Sequence, residues 1–157
     1  MKFPRVLIIY KSVHHQNTLK IAKILGKELK AELKEAGQFN SLSLKNYDLV
    51  GFGSGIYFWQ HHRQLLELVD RLKFSKDQKV FIFSTSGVSL GKIFHRKLRR
   101  KLINKGCKVI GEFNCLGWDS FGILKFFGGI NKNHPNQKDF QNARHFAKNL
   151  LTEYFKK

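Results

Sequence analysis

Hydroxyl, amide and imidazole side chains cluster in one short segment after the first apolar run of the chain, at 5–10. The segment runs into an amphipathic stretch and contains Ser12, His14, Gln16, Asn17 and Thr18. The start of a helix presents free backbone N–H groups and the positive end of the helix dipole. This arrangement predicts a site for an anion such as a phosphate. The alternative is that Asn17 or Thr18 only caps the helix.

Two later segments combine small residues with aromatic or hydroxyl side chains. In 53–59, two glycines would allow close approach of a ligand, and three consecutive aromatic residues could stack on a flat molecule. These aromatic residues could equally belong to the core. Ser84-Thr85-Ser86-Gly87 predicts a turn with exposed amides. Gly51, Gly53 and Gly55 do not form a dinucleotide fingerprint, because their spacing is wrong and they do not follow the first strand.

The elements that must position these segments alternate regularly. Short apolar runs predict strands at 5–10, 31–34, 49–52, 79–83 and 107–115, and amphipathic stretches predict helices at 17–29, 62–72, 92–105 and 138–155. The alternation predicts an α/β fold, a doubly wound five-stranded parallel sheet of order 2-1-3-4-5 with helices on both faces. Ligands of such sheets bind outside the carboxyl ends of the strands. The three segments should therefore meet at one edge.

Two motifs resemble the flavodoxin family. Ile8-Ile9-Tyr10-x-Ser12, followed by Asn17-Thr18-x-x-x-Ala22, is similar to its phosphate loop, and Tyr47-Asp48-Leu49-Val50-Gly51-Phe52-Gly53-Ser54 is similar to its third strand. The resemblance covers essentially the whole chain and implies one flavodoxin-like domain over 1–157, with a long loop at about 116–136. One departure is Gln16, where the family usually has glycine.

The resemblance also implies a cofactor, FMN, and the residues that would hold it. By this resemblance the phosphate would be bound by Ser12, His14, Gln16, Asn17 and Thr18. The flavin ring would be flanked by Ser54, Gly55, Ile56, Tyr57 and Phe58, and by Thr85, Ser86 and Gly87. Because the cofactor would supply the redox chemistry, no catalytic acid, base or nucleophile is predicted.

Other classes of site fit the sequence less well. A receiver domain needs acidic residues where this chain has Tyr10-Lys11-Ser12 and Gly53-Ser54, and a P-loop ending in Gly-Lys-Ser/Thr is absent from the sequence. The pairs His14-His15 and His61-His62 could contribute to a metal site, but no cysteine or carboxylate spacing accompanies them. We therefore predict no metal.

The chain is strongly basic. It has 29 Lys and Arg residues against 11 Asp and Glu residues, a formal charge of +18, and a basic stretch at 92–108 that contains no acidic residue. Such an excess indicates an anionic partner, most simply an acidic redox protein, or else an anionic membrane surface. It could also be only a solvated face. Nucleic acid is an unlikely partner because no recognised motif is present. The predicted ligand segments contain at most one carboxylate, Asp119, beside lysines and histidines.

The loop at 116–136 is rich in aromatic residues and lysine. It could be a lid over the ligand or a contact with a membrane interface, and Phe121, Leu124 and Phe127 could instead form a satellite core. A similar insertion accompanies the menaquinone-linked protoporphyrinogen oxidases, which resemble flavodoxins. Three functions follow: an electron-transfer protein that binds FMN; an FMN-dependent oxidoreductase acting on a quinone or porphyrin-type substrate at a membrane; or a flavin-free basic binding module.

Apolar runs and cysteines bear on the compartment. The run at 6–10 is too short to span a bilayer or to serve as a signal peptide. If Cys107 and Cys115 share a strand they lie about 26 Å apart, too far for a disulfide. We therefore predict two free thiols and a cytoplasmic protein, with a peripheral position at the inner face of the membrane as the alternative.

Overall fold

The computed structural model describes residues 2–40 and 43–156. The strands are β1 (Val6–Lys11), β2 (Glu32–Glu35), β3 (Leu49–Tyr57), β4 (Gln60–His61), β5 (Lys79–Ser86) and β6 (Lys108–Leu116). The helices are α1 (Asn17–Leu29), α2 (Arg63–Arg71), α3 (Gly91–Phe94), α4 (Arg96–Asn104) and α5 (Gln137–Phe155). Short 3-10 helices cover Ala36–Gln38 and Gly122–Phe127. No helix in these ranges is long and apolar enough to cross a membrane.

The sheet confirms the predicted topology. Its order is β2-β1-β3-β5-β6, with every neighbouring pair parallel, and the short β4 pairs antiparallel with β3. If β4 is left out, the order is the predicted 2-1-3-4-5. The register places Lys11 beside Ser54, and Ser54 beside Ser84. The carboxyl ends of the central strands therefore lie at one edge, as ligand binding requires.

Each face of the sheet is covered by its own pair of helices. α1 and α5 pack on one face, and α2 and α4 pack on the other, so two hydrophobic clusters enclose the strands. On the first face, a Cβ added to Gly51 or Gly53 would come within 2.2 Å of the ring of Phe81 or Phe83. Gly53 therefore makes room for a core phenylalanine, and not for a ligand as the sequence suggested.

Two strands are longer than predicted, and one helix is divided. β3 continues to Tyr57 and β5 to Ser86, so Ser84-Thr85-Ser86 belongs to a strand and not to a turn. The apolar pattern ends early because these strand ends carry hydroxyl groups that hydrogen bond to buried polar side chains. The predicted helix at 92–105 is interrupted at His95, whose imidazole is buried between Ser84 and Glu112.

The helix ends follow the predicted signals with one exception. Asn136 and Asp139 form a capping box at the start of α5, and Gly106, with φ +82°, follows α4. At α1, however, the N-cap is Gln16, which has a left-handed backbone and no side-chain cap bond. Ser12 Oγ instead accepts a hydrogen bond from the Leu19 N–H. The alternative interpretation, that Asn17 or Thr18 caps this helix, is therefore wrong. Cys107 and Cys115 are buried free thiols, as predicted.

Candidate functional site

A small cavity lies at the carboxyl edge, between the start of α1 and the ends of β3 and β5. Its volume is about 40 Å³. Nine of the thirteen residues predicted to hold a ligand line it: His14, Asn17, Thr18, Gly55, Ile56, Tyr57, Thr85, Ser86 and Gly87. The three segments that are distant in sequence therefore meet in one place.

The other four predicted residues lie outside this lining. Ser12 supports the first turn of α1, and Gln16 is its N-cap. Ser54 is completely buried, and its hydroxyl contacts the Gly55 carbonyl, His61 Nδ1 and the His62 N–H. Phe58 projects from the turn that joins β3 to β4 and is 82% exposed. Trp59 is also exposed, so these two aromatic residues are not part of the core.

The polar lining contains hydroxyl groups and one unsatisfied amide oxygen. Thr18 Oγ1 and Thr85 Oγ1, both buried, are 2.9 Å apart and hydrogen bonded. Asn17 donates from Nδ2 to the Trp118 carbonyl at 2.8 Å, while its Oδ1 is buried without a hydrogen-bond partner in the described part of the chain. A buried acceptor without a partner is costly. A ligand hydroxyl or N–H at this point would satisfy it.

Aromatic rings form the opposite wall. The Tyr57 ring centroid lies 5.9 Å from that of His14 and 6.1 Å from that of Phe121. Burial raises the pKa of Tyr57, and the Asp119 carboxylate adds to the effect, so the phenol remains protonated and can donate a hydrogen bond. The wall is therefore aromatic, with one hydrogen-bond donor, and this suits a flat aromatic ligand.

The segment after β6 closes the cavity. The rings of His15 and Trp118 stack with centroids 3.5 Å apart, and His15 Nε2 lies 2.7 Å from Ser120 Oγ. These contacts hold 118–121 against the start of α1. A flavin ring needs far more than 40 Å³, so the segment must move for one to enter. This favours the lid interpretation of the loop over the satellite core, because Phe121 and Phe127 are exposed.

Five residues of the lining were not among the predicted site residues. They are Val13, Gly117, Trp118, Asp119 and Phe121. Four of them follow β6, the fifth parallel strand, in the loop at 116–136, for which a lid was one interpretation of the sequence and in which Asp119 had been noted. A long loop has no periodic pattern, so its sequence does not indicate which of its side chains turn inward.

A buried polar network lies behind the cavity, on the α4 face of the sheet. Ser84 Oγ is 2.7 Å from His95 Nε2, and His95 Nδ1 is 2.9 Å from Glu112 Oε2. Arg99 forms a two-pronged ion pair with the same carboxylate. Although this order of groups is also found in hydrolases, Ser84 is completely buried, and Asn114 Nδ2 donates to its oxygen. The hydroxyl is inaccessible to a substrate, so Ser84 cannot act as a nucleophile.

Three histidines near the site, His15, His61 and His62, are predominantly neutral at neutral pH. Burial lowers the pKa of His61 to about 3, and nearby His95 contributes. Burial also lowers the pKa of His15 and of His62. Within 2–40 and 43–156, no group of three or more His, Cys, Asp and Glu side chains is placed to hold a metal ion.

The parallel order of the sheet and a cavity at its carboxyl edge place this chain in the class of doubly wound α/β proteins. The family model of the flavodoxin domain matches residues 7–115. This chain belongs to the flavodoxin family.

Similar proteins agree with this assignment. An uncharacterized protein of Methanocaldococcus jannaschii is 47% identical over 148 residues, which cover 94% of this chain and 98% of that protein. Oxidised Flavodoxin 2 from Bacillus cereus superposes with a TM-score of 0.65 at 18% identity, covering 96% of this chain and 99% of that chain. A flavoprotein in complex with FMN from Lactobacillus acidophilus gives 0.59 at 22% identity, covering 71% and 93%.

Proposed function

We propose that this protein binds FMN non-covalently and transfers electrons. The observation that carries the proposal is the meeting of His14, Thr18, Tyr57 and Thr85 around one cavity at the carboxyl edge. Membership of the flavodoxin family supports a flavin, and the similar Lactobacillus flavoprotein was solved with FMN. Bound FMN would supply reversible one- and two-electron chemistry, and the protein would supply binding and electrostatics.

The residues of the cavity fit the parts of this cofactor. The start of α1 and the Thr18 and Thr85 hydroxyls would bind the phosphate. Asn17 Oδ1, which has no hydrogen bond among the described residues, would accept one from a ribityl hydroxyl. The rings of Tyr57 and Trp118 would flank the flavin once the His15–Trp118 stack has opened. Because this stack must open before FMN can enter, association with FMN should be slow. The side chains that contact the bound cofactor should be unaffected.

Titration of two flavins against matched variants tests the proposal. Thr18→Ala should weaken FMN binding by about 5- to 150-fold, because a hydrogen bond to a charged group contributes about 1–3 kcal/mol. Riboflavin lacks the phosphate and should lose little. Thr152→Ala is the control, because Thr152 is an exposed α5 residue whose hydroxyl donates to the Lys148 carbonyl of the same helix. Equal losses for both flavins would contradict the phosphate assignment. No binding of either flavin by wild type would favour a flavin-free basic binding module.

For the partner we propose an acidic redox protein. The formal charge of +18 favours association with an acidic surface, and Lys92, which forms no ion pair within residues 2–40 and 43–156, lies near the β5 end of the sheet edge. Complementary charge chiefly accelerates association, so the rate of electron transfer to an acidic acceptor should fall steeply with salt.

A second candidate function is an FMN-dependent oxidoreductase at an anionic membrane surface, acting on a quinone or porphyrin-type substrate. The observation in its favour is the 3-10 helix Gly122–Phe127, where Ile123, Phe126 and Phe127 are 72–85% exposed beside Lys125. Protruding aromatic side chains next to lysine are typical of interfacial segments. This location, peripheral to a membrane, is the alternative to a purely cytoplasmic one.

Vesicle flotation separates the two candidates. If the second is correct, the protein should float with phosphatidylglycerol vesicles at low salt, and Phe126→Ser with Phe127→Ser should abolish this. Ile103→Ser removes an exposed apolar side chain of α4 and is the control. The absence of binding at low salt would eliminate the membrane candidate and leave the carrier.

A further inference from the structure

A second, larger groove lies beside the candidate flavin cavity. Its volume is about 460 Å³, within the range of small-molecule sites. The turn between β3 and β4 forms one side, and α3 with α4 forms the other. The residues that matter to its chemistry are Phe58, Trp59, Ile93, Arg96, Lys97 and Arg100.

The aromatic side of the groove is held in an unfavourable backbone conformation. Phe58 has φ +49° and Trp59 has φ +67°, and the two residues form the whole turn between paired Tyr57 and Gln60. Two-residue turns with two positive φ angles usually contain Asn-Gly. Phe58 and Trp59 are 82% and 65% exposed, so the packing of their rings offsets little of the backbone strain energy. Strain of this kind, where packing does not explain it, is a mark of functional positions.

The basic side of the groove is not neutralised. Lys97 Nζ donates to Gln60 Oε1 at 2.8 Å, which turns the ammonium towards the aromatic turn. Arg96 and Arg100 are exposed and take part in no ion pair among the described residues, and no described carboxylate lines the groove. Guanidinium groups bind carboxylate, phosphate or sulfonate oxygens in pairs. Two aromatic rings facing three cations are complementary to a flat molecule that carries negative charge.

We propose that this groove is a second binding site, for a planar aromatic anion. The site stands on its own lining and does not depend on whether the protein binds FMN. The Phe58 ring lies 6.0 Å from that of Phe121, which lines the first cavity, so the two ligands would be neighbours. A lining that converges from two elements on a small volume favours a small molecule over a membrane or a protein surface.

Calorimetric titration with anthraquinone-2,6-disulfonate at low salt tests the site. Wild type should bind the disulfonate. Its affinity for the uncharged 2-(hydroxymethyl)anthraquinone should be lower by about tenfold or more. Arg96→Gln with Arg100→Gln should weaken disulfonate binding by about tenfold or more. Lys23→Gln with Arg71→Gln removes the same charge from α1 and α2, and should change binding by less than about twofold. Trp59→Ala should lose affinity and Trp59→Phe should retain most of it.

Two further arms keep the result unambiguous. The disulfonate could enter the first cavity, so it is also titrated into Thr18→Ala. Loss of binding there, with the groove variants unaffected, would overturn the proposal. Phe58→Asn with Trp59→Gly removes both rings but suits the turn, so loss of binding in this folded variant supports the site. Equal losses in the groove pair and the control pair would overturn it. The proposal would also be overturned if the protein bound anionic vesicles or poly-glutamate but did not bind the disulfonate. That result would identify the groove as a docking face for a macromolecule.

Discussion

Replacing Phe58-Trp59 by Asn-Gly should leave the stability of the fold nearly unchanged, although it removes the two most distinctive side chains of the groove. A residue with a Cβ costs about 1–2 kcal/mol in the left-handed region, and both positions are in it. Glycine removes this cost at 59, and asparagine reduces it at 58. The backbone freedom of the new glycine costs about 0.5–1 kcal/mol. The variant also loses the ring contacts of Trp59 with Phe94 and of Phe58 with Phe121, about 0.5–1 kcal/mol each.

These opposing contributions nearly cancel, to within about 1 kcal/mol. For a chain of this length the melting temperature should therefore change by no more than about 4 °C, measured by circular dichroism and checked by urea unfolding. Lys30→Gly is the comparison, because Lys30 has φ +49° at the end of α1, where glycine is preferred. It should raise the melting temperature, because no contact between two aromatic rings is lost there. A fall of several degrees in the Asn-Gly variant alone would show that the exposed rings stabilise the fold, and would refute the argument from strain.

Three other predictions concern the network, the sheet and the cofactor. Burial raises the pKa of Glu112, but the bonds from Arg99 and His95 outweigh it and lower this pKa to about 2, against 4.5 when unfolded. Glu112→Gln should therefore cost about 1–3 kcal/mol in urea unfolding above pH 4.5, a difference that disappears as the pH falls towards 2; a constant difference would contradict the linkage. Gly53→Ala should cost about 1–3 kcal/mol by overpacking against Phe83, and Phe83→Leu should restore part of it; no loss in the single variant would refute the packing argument. With FMN bound, potentiometric titration should give a two-electron midpoint potential that becomes more negative as salt is raised, because reduced flavin is anionic; a salt-independent value would show that surface charge does not reach it.

The fold was predictable because its signals are local and periodic. Alternation of short apolar runs with amphipathic stretches fixed the strand order, since short connections and right-handed crossovers leave few alternatives. The strand ends were not predictable in the same way. Ser54 and Ser84 look like loop residues in isolation, but each hydrogen bonds to a buried histidine from another segment. A polar residue inside a strand is recognisable only when its partner is known.

The candidate site was predictable where backbone geometry decides it. Residues at or just beyond the carboxyl ends of β1, β3 and β5 must approach one edge of a parallel sheet, and nine predicted residues do so. Side-chain direction was not predictable, because the predicted strands ended at 52 and 83, and the alternation was not extended to the residues beyond them. Side-chain direction follows from this alternation along a strand. Ser54 therefore faces His61 on the α2 side, while Gly55 lines the cavity on the other. The same uncertainty applies to 117–121, whose position depends on the contacts of His15 and Asn17 with Trp118.

The charge of the side chains around the site also depends on how deeply each is buried, and burial could not be predicted from the sequence. The pairs His14-His15 and His61-His62 add four basic residues to the segments around the cavity. Burial lowers the pKa values of His15, His61 and His62, so these three are largely uncharged at neutral pH. Lys11, next to the site in sequence, is paired with Glu35 at 2.7 Å. The positive potential must therefore arise mainly from exposed lysine and arginine side chains at a greater distance, including those of α4. Charges at such positions are the ones that salt screens most effectively. Ionic strength should therefore change both partner association and cofactor potential, whereas His15, His61 and His62, already uncharged at pH 7, should contribute no change in either between pH 7 and 9.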